Sequence, residues 1–234
     1  MSSPNQAANG AFSPETLRFL EEIADNNERT WFQANKHRYE ADVLEPALGY
    51  IETMGPRIER ISAHFVAIPK RVGGSLMRIY RDTRFSHDKT PYKTNIGIQF
   101  RHERGKDVHA PGFYVHVEPG RCFLGAGIWR PESGALAKIR TRIVEKPGAW
   151  KNASRDGRFE EYFEFGGQRL KRPPRGFPAE LPYIEDIKRK DFIASCPIDD
   201  EDVIAGDFPE RTTARFAAAA PLMAFLCTAL ELQF

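Results

Sequence analysis

Between residues 70 and 93, seven Lys or Arg (70, 71, 78, 81, 84, 89 and 93) stand against two Asp, Asp82 and Asp88, in a chain whose formal net charge is +2. Such a cluster suits an anion. An arginine fork matches phosphate or carboxylate with two parallel N–H bonds, and a lysine adds a mobile point charge. Arg78, Arg81, Arg84, Lys89 and Lys93 are therefore the expected anion contacts. The same residues could also brace one another, with Asp82 and Asp88 pairing the arginines across a turn, and the two roles can coexist.

A second constellation follows. Tyr114, His116 and Glu118 alternate with Phe113, Val115 and Val117, and a period of two puts the polar three on one face of a strand. An imidazole and a carboxylate two residues apart are close enough for one to orient the other. His116, with Glu118 or Asp82, is the acid/base candidate, Tyr80, Tyr114 and Trp129 are pocket walls, and Asn95 is a further ligand contact on that face.

These side chains need strands to hold them. Alternation predicts four, at about 75–82, 93–101, 112–118 and 121–129, with Pro119-Gly120 as a hairpin turn. One face collects Met77, Ile79, Ile96, Ile98, Phe100, Phe113, Val115, Val117, Leu124, Ala126 and Ile128, a core face covered by helices. The other carries the polar residues with Gly97, Gly125 and Gly127, notches expected to leave room for a ligand.

Helices flank this sheet. Ser13-Pro14-Glu15 offers a cap, a first-turn proline and an early acid, and Leu17, Leu20 and Ile23 then recur at helical spacing. Helical stretches follow at 28–39 and from 40, with Gly55-Pro56 as an interruption or kink. Beyond Pro131 come a helix to about 147, an extended connector at 171–177, a helix at 181–188, a short strand at 192–196 and a helix at 208–232. The expected architecture is α+β, a mainly antiparallel sheet of four to five strands with N- and C-terminal helices on one face. Residues 1–11 read as a disordered leader and 12–234 as one domain.

Composition excludes several classes. The chain has 234 residues, 34 Lys plus Arg against 32 Asp plus Glu, and a mean hydropathy of −0.50, which fits neither a multi-span membrane protein nor a general nucleic-acid binder. The apolar stretch 217–230 contains Pro221 and falls short of the roughly 20 residues a span requires, so no membrane partner is expected. Three cysteines, Cys122, Cys196 and Cys227, share no C-x-x-C spacing, which fits a reducing, cytoplasmic setting. His102, His109 and His116 recur every seven residues, but without H-E-x-x-H spacing no metal is expected. Phosphate-loop and dinucleotide motifs are absent, and no cofactor is indicated.

The signature region resembles a widespread, largely bacterial family of conserved hypothetical proteins, domain-of-unknown-function family 2461, with the pattern R-x-x-R-D-x-R-F-x-x-x-K-x-x-Y. Arg78, Arg81, Asp82, Arg84, Phe85, Lys89 and Tyr92 fill every fixed position. The resemblance extends through Trp31-Phe32, Asn35-Lys36 and Arg38-Tyr39, through 112–119 and 125–131, and on to Leu170-Lys171-Arg172-Pro173-Pro174. It transfers no activity, cofactor or catalytic residue.

The expected function is binding of a small phosphate- or carboxylate-bearing ligand on the polar sheet face, with hydrolysis or transfer as the reaction if there is one. Two other readings use the same residues. A nucleic-acid module would employ the basic turn with Tyr92, Trp129 and the Arg-Pro-Pro segment. A structural or protein-interaction domain would use the arginine network only to hold the turn. Neither oligomeric state nor enzyme status is legible in the sequence.

Overall fold

The computed structural model describes residues 12–84, 86–105 and 110–234. The leader expected over 1–11 lies outside them, as do Phe85 and His109. Six antiparallel strands form one sheet: β1 (Phe65–Val66), β2 (Ile96–His102), β3 (Gly112–Val117), β4 (Phe123–Ile128), β5 (Glu164–Phe165) and β6 (Phe192–Pro197), in the order β1-β2-β3-β4-β6-β5. The α+β class and the antiparallel sheet stand, with the count raised to six. The outermost strands, β1 and β5, have two residues each, too few to display a period.

The alternation in β2, β3 and β4 sorts the faces as expected. From Ile96 to Ile128 the nine apolar residues of the inner face, Met77 and Ile79 aside, are 3% exposed or less. The helix Glu45–Ile61 packs on β2 and the helix Ala220–Ala229 on β4. Burial of such side chains contributes about 1.5–3 kcal/mol each, so this layer fixes the strand register.

At the N-terminus the helix Pro14–Asp25 starts as expected, with Ser13 and Thr16 exchanging backbone-to-hydroxyl bonds in a reciprocal cap. The stretch 28–39 is not one helix. It divides at Asn35 into Arg29–Ala34 and Lys36–Arg38, and a π-helical turn, Tyr39–Leu44, leads into Glu45–Ile61. Pro56 lies inside that last helix without ending it. Tyr50, Ile51, Met54 and Ile58 are all fully buried, and tertiary packing of this face outweighs the lost backbone bond.

The strand expected at 75–82 is absent. Two isolated bridges replace it, Leu76 with Ile98 and Tyr80 with Tyr92. Leu76 and Ile79 are buried while Met77 is half-buried, so the chain changes face between the two bridges. Met77 consequently leaves the core face assigned to it and lies on the polar side, beside Gly97.

The helix expected over 208–232 bends by 52° at Ala219, giving Phe208–Ala218 and Ala220–Ala229. Pro221 sits in the first turn of the second piece, where its missing N–H costs nothing. Among the described residues no single helix is long and apolar enough to cross a membrane. The bent pair is apolar, and its Phe208, Phe216, Leu222, Met223 and Leu226 are fully buried in the core.

Candidate functional site

The signature segment is a short irregular hairpin. Backbone bonds from Arg81 N to Pro91 O (2.9 Å) and from Lys93 N to Ile79 O (2.7 Å) pair its two arms. The N-terminal helices anchor it: the Asn27 amide bonds both the N–H and the carbonyl of Tyr92, each at 3.0 Å, imitating a strand neighbour. Phe32 stacks on the Tyr92 ring at 4.2 Å. Tyr92 is only 2% exposed, so this signature residue serves the core.

Between the arms, ion pairs shape the loop. Arg81 bonds Asp88 and Thr90. Asp82 accepts from Arg84 Nε at 2.9 Å and Nη2 at 2.6 Å, and Lys89 donates to the Thr83 carbonyl at 2.8 Å. The Arg84 bonds hold the Asp82 carboxyl down at about 2. The Thr90 backbone N–H, followed by Arg81, does the same for Asp88. Asp82 is thus an ionised loop brace, and the carboxylate that His116 takes is Glu118. The internal-bracing role foreseen for the arginines belongs to Arg81 and Arg84.

Two clefts open on either side of Tyr80 and Arg81, which line both. One, of about 630 Å³, adds Met77, Arg78, Arg84, Lys93, Gln99 and Arg101. The other, of about 670 Å³, adds Asn27, Arg29, Gln33 and Lys89. In the first, Arg78 and Lys93 have no acidic group within 4 Å among the described residues. Burial pulls the Lys93 ammonium below its ordinary value, and the Arg78 charge pulls it further the same way. Two cations held together without a counter-charge favour an anion between them.

On the polar face of β3, Tyr114, His116 and Glu118 form one hydrogen-bonded chain. The Tyr114 hydroxyl lies 3.2 Å from His116 Nδ1, and His116 Nε2 lies 3.3 Å from Glu118 Oε2. Thr94 donates to Glu118 at 2.8 Å and Arg121 reaches it at 3.5 Å. The Asn95 amide nitrogen stands 3.4 Å from His116 Nδ1. The imidazole stacks on Phe123 with ring centres 4.6 Å apart. Burial lowers the His116 pKa despite the opposing pull of Glu118, and burial, aided by the Glu118 charge, lifts the Tyr114 phenol to about 12. Burial raises Glu118, but bonds from Thr94 and His116 overcome it and leave the carboxyl below its usual value.

The glycines of this face serve the tyrosine. A Cβ on Gly97 would stand 2.7 Å from the Tyr114 hydroxyl and 3.1 Å from Met77 Sδ, and one on Gly125 would stand 3.3 Å from Tyr114 Cβ. Gly127, at φ +131°, lets the Phe192 carbonyl approach where a Cβ would be 1.9 Å away. The notches are filled by protein, and the open space lies along β2 instead.

Other candidates lie elsewhere. Trp129 is 44% exposed, past the far end of β4, with the Arg130 guanidinium 4.7 Å above its ring. His102 is a satisfied core histidine, bonding the Gln233 carbonyl at 3.0 Å and accepting from Arg104 N at 3.2 Å. No group of three metal-ligating side chains occurs among the described residues. Cys122 and Cys227 are buried thiols pushed up to about 12 by desolvation. Trp31, Asn35 and Arg38 do share a face as their spacing suggests, but Arg38 grips Glu22 with two bonds and Trp31 packs on Phe19.

One polar cluster escaped the sequence reading. Asp186 accepts from Trp150 Nε1 at 2.8 Å and from Arg189 Nε at 3.0 Å, with both ionic side chains 3% exposed. Arg140 donates to the carbonyls of Ile187 and Arg189. Acid and base three residues apart in 186–189 was the only available signal. The cluster is a structural clamp: Arg155 and the Gly166 carbonyl take the remaining bonds of Asp186 and Arg189.

Comparison with known families gives a match to the one described as conserved hypothetical protein (DUF2461), over residues 15–225. No curated protein and no solved structure matches the chain.

Proposed function

The chain belongs to the DUF2461 family of conserved hypothetical proteins, and from that premise we propose that it binds a small phosphate- or carboxylate-bearing anion in the cleft lined by Arg78 and Lys93. The reading rests on the pairing of those two cations in one cleft with no carboxylate beside them. An anion seated there would reverse the effect of Arg78 on Lys93 and restore what burial takes from the ammonium. Arg84 and Arg101 add positive potential at the rim, and Tyr80 supplies an apolar wall. Three buried, unpaired thiols accord with a reducing bacterial cytoplasm as the setting.

Thermal unfolding in inorganic phosphate, sulfate and succinate tests the proposal. At 100 times Kd a ligand of the native state stabilises it by about 2.7 kcal/mol. The expected result is a rise in Tm for the natural protein that disappears in Arg78→Met with Lys93→Met. A rise of the same size in that double variant would sink the proposal.

A nucleic-acid reading draws support from Tyr80, 54% exposed on the ridge between the two basic clefts. It does so without Tyr92, which is buried, or Trp129, which lies away from the clefts. Its mark would be affinity for a single-stranded oligonucleotide that falls steeply as salt rises.

A further inference from the structure

We propose that Tyr114 is the reacting acid–base group of a phosphate-ester hydrolase, its hydroxyl wired through His116 to Glu118 and set beside the cations that hold the ester. This rests on the anion-binding reading of the Arg78 and Lys93 cleft and names the reaction performed there.

The direction of the wiring follows from the acceptors. Glu118 is an ionised carboxylate already taking bonds from Thr94 and Arg121, so His116 Nε2 must carry the proton it shares with Glu118. In the neutral ring Nδ1 is then the acceptor, and the Tyr114 hydroxyl donates to it across 3.2 Å. Every member of the chain is satisfied except at its start. The Tyr114 oxygen receives no hydrogen bond from any described residue, so its lone pairs are the open end of the relay.

That end is placed with care. Glycine at 97 and at 125 makes the space for the ring, and the hydroxyl closes on the point above Gly97 that Met77 Sδ also approaches. Met77 lines the cationic cleft, as do Lys93 and Gln99, and Gln99 is the cross-strand partner of Tyr114. The open oxygen and the unpaired cations therefore meet along the same stretch of β2. A tyrosine needed only for packing would require neither an imidazole–carboxylate pair behind its hydroxyl nor uncompensated cations beside it.

The step balances without a cofactor. A water oxygen bonds to phosphorus as the P–O bond to the leaving group breaks. The water proton passes to Tyr114 Oη while the tyrosine proton passes to His116 Nδ1, giving an imidazolium paired with Glu118. Run backwards, the relay delivers that proton to the leaving oxygen, and the products are phosphate and an alcohol. Arg78 and Lys93 hold the non-bridging oxygens, where charge resides in the transition state.

The test is hydrolysis of p-nitrophenyl phosphate by the natural protein and by Tyr114→Phe, His116→Gln and Lys93→Met, each also titrated with inorganic phosphate. Tyr114→Phe should lower kcat by about 100-fold or more while binding phosphate as the natural protein does, which also certifies its fold. His116→Gln should lower kcat similarly, and Lys93→Met should chiefly raise KM. Phosphate binding without turnover, or full kcat in Tyr114→Phe, overturns the catalytic assignment and leaves the binding reading standing. Loss of phosphate binding by the natural protein removes both.

Discussion

Gly97 and Tyr114 are matched in shape across two strands: the hydroxyl of the tyrosine occupies the place where a side chain at 97 would begin, 2.7 Å from a Cβ there. Gly97 has an ordinary backbone conformation, so space and not φ demands the glycine. Gly97→Ala should displace the phenol from His116 and cost about 1–3 kcal/mol, as overpacking does. Urea unfolding measures the cost, and the loss of the Tyr114 to His116 bond should appear in the histidine ring resonances.

His116 is held neutral by burial, below its ordinary value of 6.5, against the pull of Glu118 and with Arg121 acting in the same direction as burial. A lowered value in the folded state means the unfolded chain binds the proton more readily. The contribution to stability is complete above the unfolded value and is lost as pH falls through the folded one. The Tm of the natural protein should therefore drop more than that of His116→Gln between neutral pH and about pH 5. Equal drops would show that the ring titrates as though in water.

Asp186 joins Trp150 and Arg189 in the interior. Asp186→Ala leaves a buried guanidinium with only carbonyl partners and an indole N–H with none, and should cost about 3–5 kcal/mol. Chemical denaturation checks this, and a loss under about 1 kcal/mol would mean water replaces the carboxylate.

The three thiols should resist modification in the native protein. Cys122 and Cys227 are raised to about 12 and Cys196 is raised as well, in each case first by burial. Reaction with a disulfide reagent needs thiolate and access. Labelling should therefore follow global unfolding, with all three reacting together in denaturant, and a single fast thiol under native conditions would contradict the buried placement.

The sheet and its polar face were legible because β2, β3 and β4 are long enough for alternation to speak, and Tyr114, His116 and Glu118 fall where a period of two puts them. The segment around Arg78 was not, because residues 76–81 pair with two different partners and change face between them. Periodicity is blind to that. It placed Met77 in the core, while burial and neighbours place it beside Gly97. The charge cluster was equally plain in the sequence, but its division of labour was not. Arg81 and Arg84 differ from Arg78 only in having Asp88 and Asp82 within reach, a fact of loop geometry. The role of the glycines was inverted for the same reason, since a notch seen on one strand is filled by a ring standing on the next.

The two-residue strands at the margins, Phe65–Val66 and Glu164–Phe165, have a bearing on solubility. A long exposed margin offers a ladder of unpaired N–H and carbonyl groups on which another chain can build. At one margin β2 is occupied in turn by β1 and by the backbone of Ser75 and Met77, which bonds Gln99 and Gly97. At the other, β6 meets only Glu164 and Phe165 before the chain turns away. A polymer growing by strand addition would find no run long enough to template it, so the central strands can be strongly apolar without seeding fibrils from the folded state.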